Sequence, residues 1–141
     1  MGDWRTVEAV WQDGDVFVGK NTTGRQIIMG APKGFSPMEL LLISLAGCTG
    51  MDVASILEKK RQPIQAFKVI VRGLRREDYP KIYTELEVEY KLYGTALDAR
   101  DVEQAISLSQ EKYCSVSAML GKAAILRTSF VIITEEGVTQ T

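Results

Sequence analysis

One segment limits the folding options of this chain more than any other. From Ser36 to about Lys60 the stretch SPMELLLISLAGCTGMDVASILEKK reads as a helix that is apolar on most of its faces. Ser36 stands where an N-cap belongs, Pro37 at the first helical position and Glu39 at the third, which is the arrangement of a capping box. A helix apolar nearly all round is buried between layers or at a subunit interface. Its longest apolar run, Leu40 to Met51, falls short of the roughly 20 residues that cross a bilayer. One sheet cannot cover such a helix, so a homodimer with this helix at its centre is expected.

The flanking sequence supplies the sheets. RTVEAVW, DVFVGK and NTTGRQIIM, separated by turns at Asp13-Gly14 and Thr23-Gly24, form a short meander. AFKVIVRGLRR reads as a strand after the break at Arg61 to Pro63. IYTELEVEYKLY alternates most clearly: Ile82, Thr84, Leu86, Val88, Tyr90 and Leu92 on one side, Tyr83, Glu85, Glu87, Glu89, Lys91 and Tyr93 on the other. One face goes to a core and one to water, which favours antiparallel sheets. An amphipathic helix follows, capped by Asp98 and turned inward at Val102, Ala105, Ile106 and Ser109. SVSAMLGKAA makes a shorter helix and ILRTSFVII a last strand. Strands, a long helix, strands, helices and a strand give an α+β fold over one domain, residues 1–141.

Composition narrows the chemistry. The net charge of −1 offers no field for nucleic acid or an anionic membrane, and Met1 to Arg5 has no signal-peptide character, so a cytoplasmic protein is the default. There is no histidine, which excludes Ser-His-Asp and Cys-His catalysis and histidine-containing zinc sites. Two cysteines cannot make a Cys₄ site and no carboxylate cluster has ligand spacing, so neither metal nor cofactor is expected. Thiols, carboxylates, tyrosines, lysines and arginines remain.

The two thiols are Cys48, inside the apolar helix, and Cys114, at the junction of the two later helices. Free cysteine often only fills a core, and that reading stands beside a reactive one. On a helix of about 100° per residue, Leu41, Leu45 and Asp52 share the Cys48 face, while Glu39 falls opposite. The Asp52 carboxylate, one turn away, opposes thiolate formation at Cys48, so a reactive Cys48 needs a cation from elsewhere; Arg25 is the candidate. Gly47 and Gly50 fit either a tight helix crossing or a pocket. If Cys114 starts a helix, local electrostatics make it the more thiolate-prone of the pair.

SPMELLLISLAGCTGMDVASILEKKRQ and EKYCSVSAML resemble the two cysteine motifs of the OsmC/Ohr family, and the likeness extends through TGRQIIM and the alternating strand. The closer resemblance is to an OsmC-like subgroup rather than to OsmC or Ohr proper. It implies two intertwined chains with central helices between sheets and active sites at the subunit interface. It also implies that Cys48 is peroxidatic and attacks an organic hydroperoxide, that Cys114 resolves the sulfenic acid as a disulfide, and that a dithiol then reduces it. Met38, Leu41, Leu45, Met51 and Asp52 are the pocket candidates, with the apolar ones favouring bulky peroxides. In OsmC and Ohr proper a glutamate directly follows the loop proline; here Met38 holds that place and Glu39 comes next. A redox-sensing or small-molecule-binding module on the same fold is the alternative, and a structural protein with inert cysteines a third.

Overall fold

The computed structural model describes residues 2–134 and the backbone of 137–140. The chain divides into two compact units, Met1–Leu41 and Leu42–Thr141. Their boundary falls inside one continuous helix, α1 (Pro37–Lys59).

The first unit holds an antiparallel meander of β1 (Val7–Asp13), β2 (Val16–Asn21) and β3 (Gln26–Met29). The Asn21 side chain shapes the second turn, accepting the backbone N–H groups of Thr23 at 3.1 Å and Arg25 at 2.9 Å. All of β1 is exposed within a single chain, including Val7 and Trp11. The capping box forms as expected: Glu39 N–H donates to Ser36 Oγ at 3.1 Å, and Ser36 N–H donates to Glu39 Oε1 at 3.0 Å.

The second unit is a four-stranded sheet in the order β4 (Ala66–Arg75), β5 (Tyr83–Tyr93), β6 (Ile125–Thr134), β7 (Gly137–Gln140), with three helical segments. Its core comes from Leu45, Val53 and Leu57 of α1, from Leu86, Val88, Tyr90 and Leu92 of β5, and from Val102 and Ala105 of α2 (Ala99–Leu108). Asp98 caps α2, accepting the Arg100 N–H at 2.9 Å. On the opposite sheet face Arg72 pairs with Glu87 and Arg127 with Glu85, so the carboxylates of β5 form a cross-strand ion-pair face.

Three features differ from the sequence reading. The sheet is not wholly antiparallel: β5 and β6 run parallel from Glu85↔Ile125 to Tyr93↔Ile133. A parallel neighbour requires a long crossover, and residues 94–124 provide it. The β5 alternation also breaks at its start. Tyr83 is buried and Ile82 exposed, because the β4–β5 register shifts between Leu74 and Arg75. A Cβ on Gly73 would lie 2.5 Å from the Tyr83 ring, so only glycine leaves space for the inturned ring.

The third difference concerns α1. By length and composition it could cross a bilayer. Within one chain, Leu45, Thr49, Val53 and Leu57 bury a stripe at four-residue spacing, and the rest of the helix is partly or fully exposed. The buried stripe binds it to this fold, since Thr49 hydrogen-bonds to residues of β5 and of the crossover. The helix ends where Arg61 adopts a left-handed backbone (φ 58°), closed by Gln62 N–H to Leu57 O at 2.9 Å.

Candidate active site

The site is built where the crossover returns to α1. After α2 the helix widens into a π-helical turn, Ser109–Tyr113, and Cys114 follows as the N-cap of α3 (Ser115–Leu120). This places the Cys114 sulfur beside α1. One ligand atom each of Cys48, Asp52 and Cys114 lie within 4.8 Å of one another. Both cysteines are free thiols, Cys48 partly exposed and Cys114 only 3% exposed.

The helix-start position expected for Cys114 is found, and its sulfur accepts the Ser117 N–H at 3.3 Å. The expected electrostatic outcome is not. Burial pushes the Cys114 thiol up; the contacts with Ser117 pull the other way without prevailing, and Cys48 beside it adds to the rise. A six-residue helix offers too little dipole to offset desolvation of the charged form. Cys114 therefore holds its proton more tightly than an ordinary thiol.

A buried polar chain runs behind the thiols, and its direction follows from counting hydrogens. Ser109 Oγ donates its single proton to Asp52 Oδ2 at 2.9 Å. The 2.7 Å contact between Thr49 Oγ1 and Ser109 Oγ must then be donated by Thr49. That leaves Tyr90 Oη as donor in its 2.7 Å contact with Thr49 Oγ1. Gln110 Nε2 completes the series, donating to Tyr90 Oη at 3.0 Å. Every proton in the chain points towards the Asp52 carboxylate, which is thus oriented from behind. Desolvation at this position pushes the Tyr90 phenol up, against the lowering effect of its hydrogen bonds to Thr49 and Gln110.

Of the residues singled out in the sequence, Cys48, Asp52 and Cys114 are brought together. Leu45 is fully buried and Met51 is 76% exposed, so within one chain these two meet different surroundings. Leu41 is exposed and Met38 partly so, and both belong to the first unit, as does Arg25 just before β3. The Glu39 carboxylate is committed to its cap. A Cβ on Gly50 would meet Val69 at 3.3 Å, whereas one on Gly47 would meet nothing within 4 Å.

Sequence reasoning passed over Thr49 and Gln110. Tyr90 and Ser109 were legible as inward-facing, but not as polar partners. A threonine inside a leucine-rich stripe at the spacing of Leu45, Val53 and Leu57 was the available signal, because a buried hydroxyl needs a partner. Nor did spacing foretell that two thiols and a carboxylate would converge as a set of donor atoms.

The sequence model of the OsmC-like protein family matches residues 30–129, a span that includes both cysteines. Protein YhfA of Escherichia coli K12 is 37% identical over 126 residues, covering 87% of this chain and 94% of its own. A hypothetical protein from Aquifex aeolicus has a crystal structure that superposes with a TM-score of 0.87 at 41% identity, covering 95% of this chain and 99% of that one. The organic hydroperoxide resistance protein OhrB of Bacillus subtilis shares the fold at a TM-score of 0.62 and 14% identity, covering 91% of this chain and 98% of its own.

Proposed function

This chain belongs to the OsmC-like protein family, and from that premise we propose that it reduces organic hydroperoxides through a Cys48–Cys114 thiol/disulfide cycle, in defence against oxidative stress. The observation that carries the reading is the approach of the two sulfurs to within 4.8 Å. To form a disulfide of about 2.03–2.05 Å the sulfurs must close by up to about 2.8 Å.

The cycle balances. The Cys48 thiolate attacks the outer oxygen of ROOH, the O–O bond breaks, and the alkoxide leaves as ROH after taking a proton. The product is a Cys48 sulfenic acid. Cys114 then attacks the Cys48 sulfur and gives up its proton, and the sulfenic oxygen departs as water. A dithiol reductant returns both residues to thiols and is itself oxidised to a disulfide. Cys48 is the more accessible thiol and suits the attacking role. Cys114, buried and protonated, is spared direct attack by peroxide, because the thiolate is the reactive form.

In this reading Cys48 needs a cation to activate it, and Arg25 is the candidate to test by substitution. The assembly is a homodimer. The exposed apolar residues Ile43 and Met51 of α1, and Val7 and Trp11 of β1, are the surfaces a second copy would cover. A reducing cytoplasm would keep the thiols free between turnovers.

A second reading, a redox sensor or small-molecule-binding module with little turnover, is favoured by Asp52. A carboxylate stands beside both sulfurs, and its charge opposes thiolate formation. Hydroperoxide consumption with a dithiol reductant decides between them. The peroxidase predicts turnover by the wild type and none by Cys48→Ser. A wild type that forms the disulfide reversibly without turning over supports the sensor.

A further inference from the structure

We infer that reduced Cys48, Cys114 and Asp52 form a binding site for a thiophilic divalent cation of the zinc class, and that filling this site and closing the Cys48–Cys114 disulfide exclude each other. The donor set carries the inference. Two sulfurs and a carboxylate oxygen lie within 4.8 Å of one another. A tetrahedral zinc centre, with Zn–S of about 2.3 Å and Zn–O of about 2.0–2.2 Å, holds such atoms roughly 3.4–3.8 Å apart. At the 4.8 Å limit the donor atoms must close by about 1.0–1.4 Å, a distance side-chain rotation can supply. Two thiolates with one oxygen donor suit zinc better than magnesium or calcium, which take oxygen ligands alone.

The surroundings resemble those of a prepared site in two independent respects. Asp52 Oδ2 is held by the Ser109 hydroxyl at 2.9 Å, at the end of the directed chain from Gln110 through Tyr90 and Thr49, which fixes the carboxylate beside the sulfurs. Cys114 Sγ is held by the Ser117 N–H at 3.3 Å. Partners of this kind orient ligands and tune their affinity. Cys48 and Asp52 are partly exposed, so an ion has a way in and a fourth position remains for water or a small ligand.

Binding is a proton exchange. Each thiol gives its proton to solvent as its sulfur takes the metal, and Asp52 completes the set. Oxidation of the same two thiolates passes one electron pair to the oxidant and places another in the S–S bond, leaving neutral disulfide sulfurs, so a disulfide-forming oxidant must release the ion.

The test is metal binding itself, read without any hydroperoxide, so it stands or falls separately from the peroxidase reading. Reduced, chelator-stripped full-length protein is titrated with Co²⁺, followed by its thiolate-to-cobalt charge-transfer absorption, and Co²⁺ is then displaced by Zn²⁺. One ion per chain is expected, with the charge-transfer intensity falling to about half in Cys48→Ser and in Cys114→Ser as one sulfur is lost. Asp52→Asn should weaken the affinity by about tenfold or more and keep the two-thiolate spectrum, with Asp52→Glu restoring part of the loss. Ser109→Ala should cost about tenfold through the orientation of Asp52. Protein oxidised to the disulfide should bind none. No charge-transfer absorption in the reduced wild type, an unchanged affinity in folded Asp52→Asn, or a disulfide form that keeps the metal would each overturn the inference.

Discussion

Cys48 and Cys114 share a site yet occupy opposite kinds of structure. Cys48 sits in the middle of a 23-residue helix, partly exposed beside a buried stripe. Cys114 ends a π-helical turn, caps a six-residue helix and is almost wholly enclosed. The backbone around Cys48 is held by regular helical hydrogen bonds. Around Cys114 it is set by the Cys114 N–H bond to Ser109 O at 2.7 Å and the Ser117 N–H on its sulfur. The difference teaches a division of labour. In the peroxidase proposed above, the more accessible thiol would meet the peroxide, and the enclosed one, which holds its proton more tightly, would resolve the product.

Replacing each thiol in turn is the strongest way to break this comparison. If the roles differ as described, Cys48→Ser lowers hydroperoxide turnover by about 10³-fold or more, as loss of a covalent nucleophile does. Cys114→Ser instead preserves the first reaction, and a sulfenic acid accumulates that a dimedone-type probe can trap. Equal effects of the two substitutions on that first step would erase the distinction.

Next in size is the polar chain that joins the two surroundings. Thr49→Val keeps the side-chain shape and removes the central hydroxyl, leaving Tyr90 without its acceptor and Ser109 without a donor. A loss of about 1–3 kcal/mol in urea unfolding is expected. A change below about 0.5 kcal/mol would mean that the chain contributes nothing to holding the crossover on α1.

The pH dependence sharpens the comparison further. Burial raises the Cys114 thiol and, by desolvation, the Tyr90 phenol, so the folded state holds both protons more tightly than the unfolded chain. Stability from these groups is complete at neutral pH. It is lost as pH rises from the ordinary thiol and phenol ranges through the raised ones. In metal-free protein, disulfide formation after a single pulse of hydroperoxide should quicken over the same rise, as Cys114 becomes the thiolate that attacks. Unfolding midpoints flat into strongly alkaline solution would contradict the burial argument.

The smallest expected effect concerns the two glycines beside Cys48. Gly50→Ala brings a Cβ against Val69, whereas Gly47→Ala meets open space in a single chain. An isolated chain should therefore gain up to about 1 kcal/mol from Gly47→Ala through helix propensity. A loss instead, with a shift towards monomer in sedimentation, would show that a second copy packs against this face.

Much of the fold was written in local pattern. The capping box at Ser36 and Glu39 and the Asp98 cap marked two helix starts. Alternation from Leu86 to Leu92 marked the core face of β5, and the inward set Val102, Ala105, Ile106 and Ser109 is buried as read. What local pattern could not carry was anything decided between distant segments. The parallel pairing of β5 with β6 depends on the path of the crossover, and the inturned Tyr83 on a register shift in the opposite strand. The site divides in the same way. Asp52 was legible as a neighbour of Cys48 one helical turn away, whereas the arrival of Cys114 from the far end of the crossover was implied only by the family resemblance and by no local pattern. Its pKa direction was misjudged because the helix start is visible in sequence and the depth of burial is not.

The central claim is that these two thiols work as a pair, and counting them tests it directly. Reduced protein is treated with one equivalent of an organic hydroperoxide, and its free thiols and intact mass are read before any reductant is added. The account predicts that this one equivalent removes both thiols to give an intrachain Cys48–Cys114 disulfide, and a gain of one oxygen instead in Cys114→Ser. A wild type that keeps both thiols, or that gains oxygen without forming the disulfide, would contradict it.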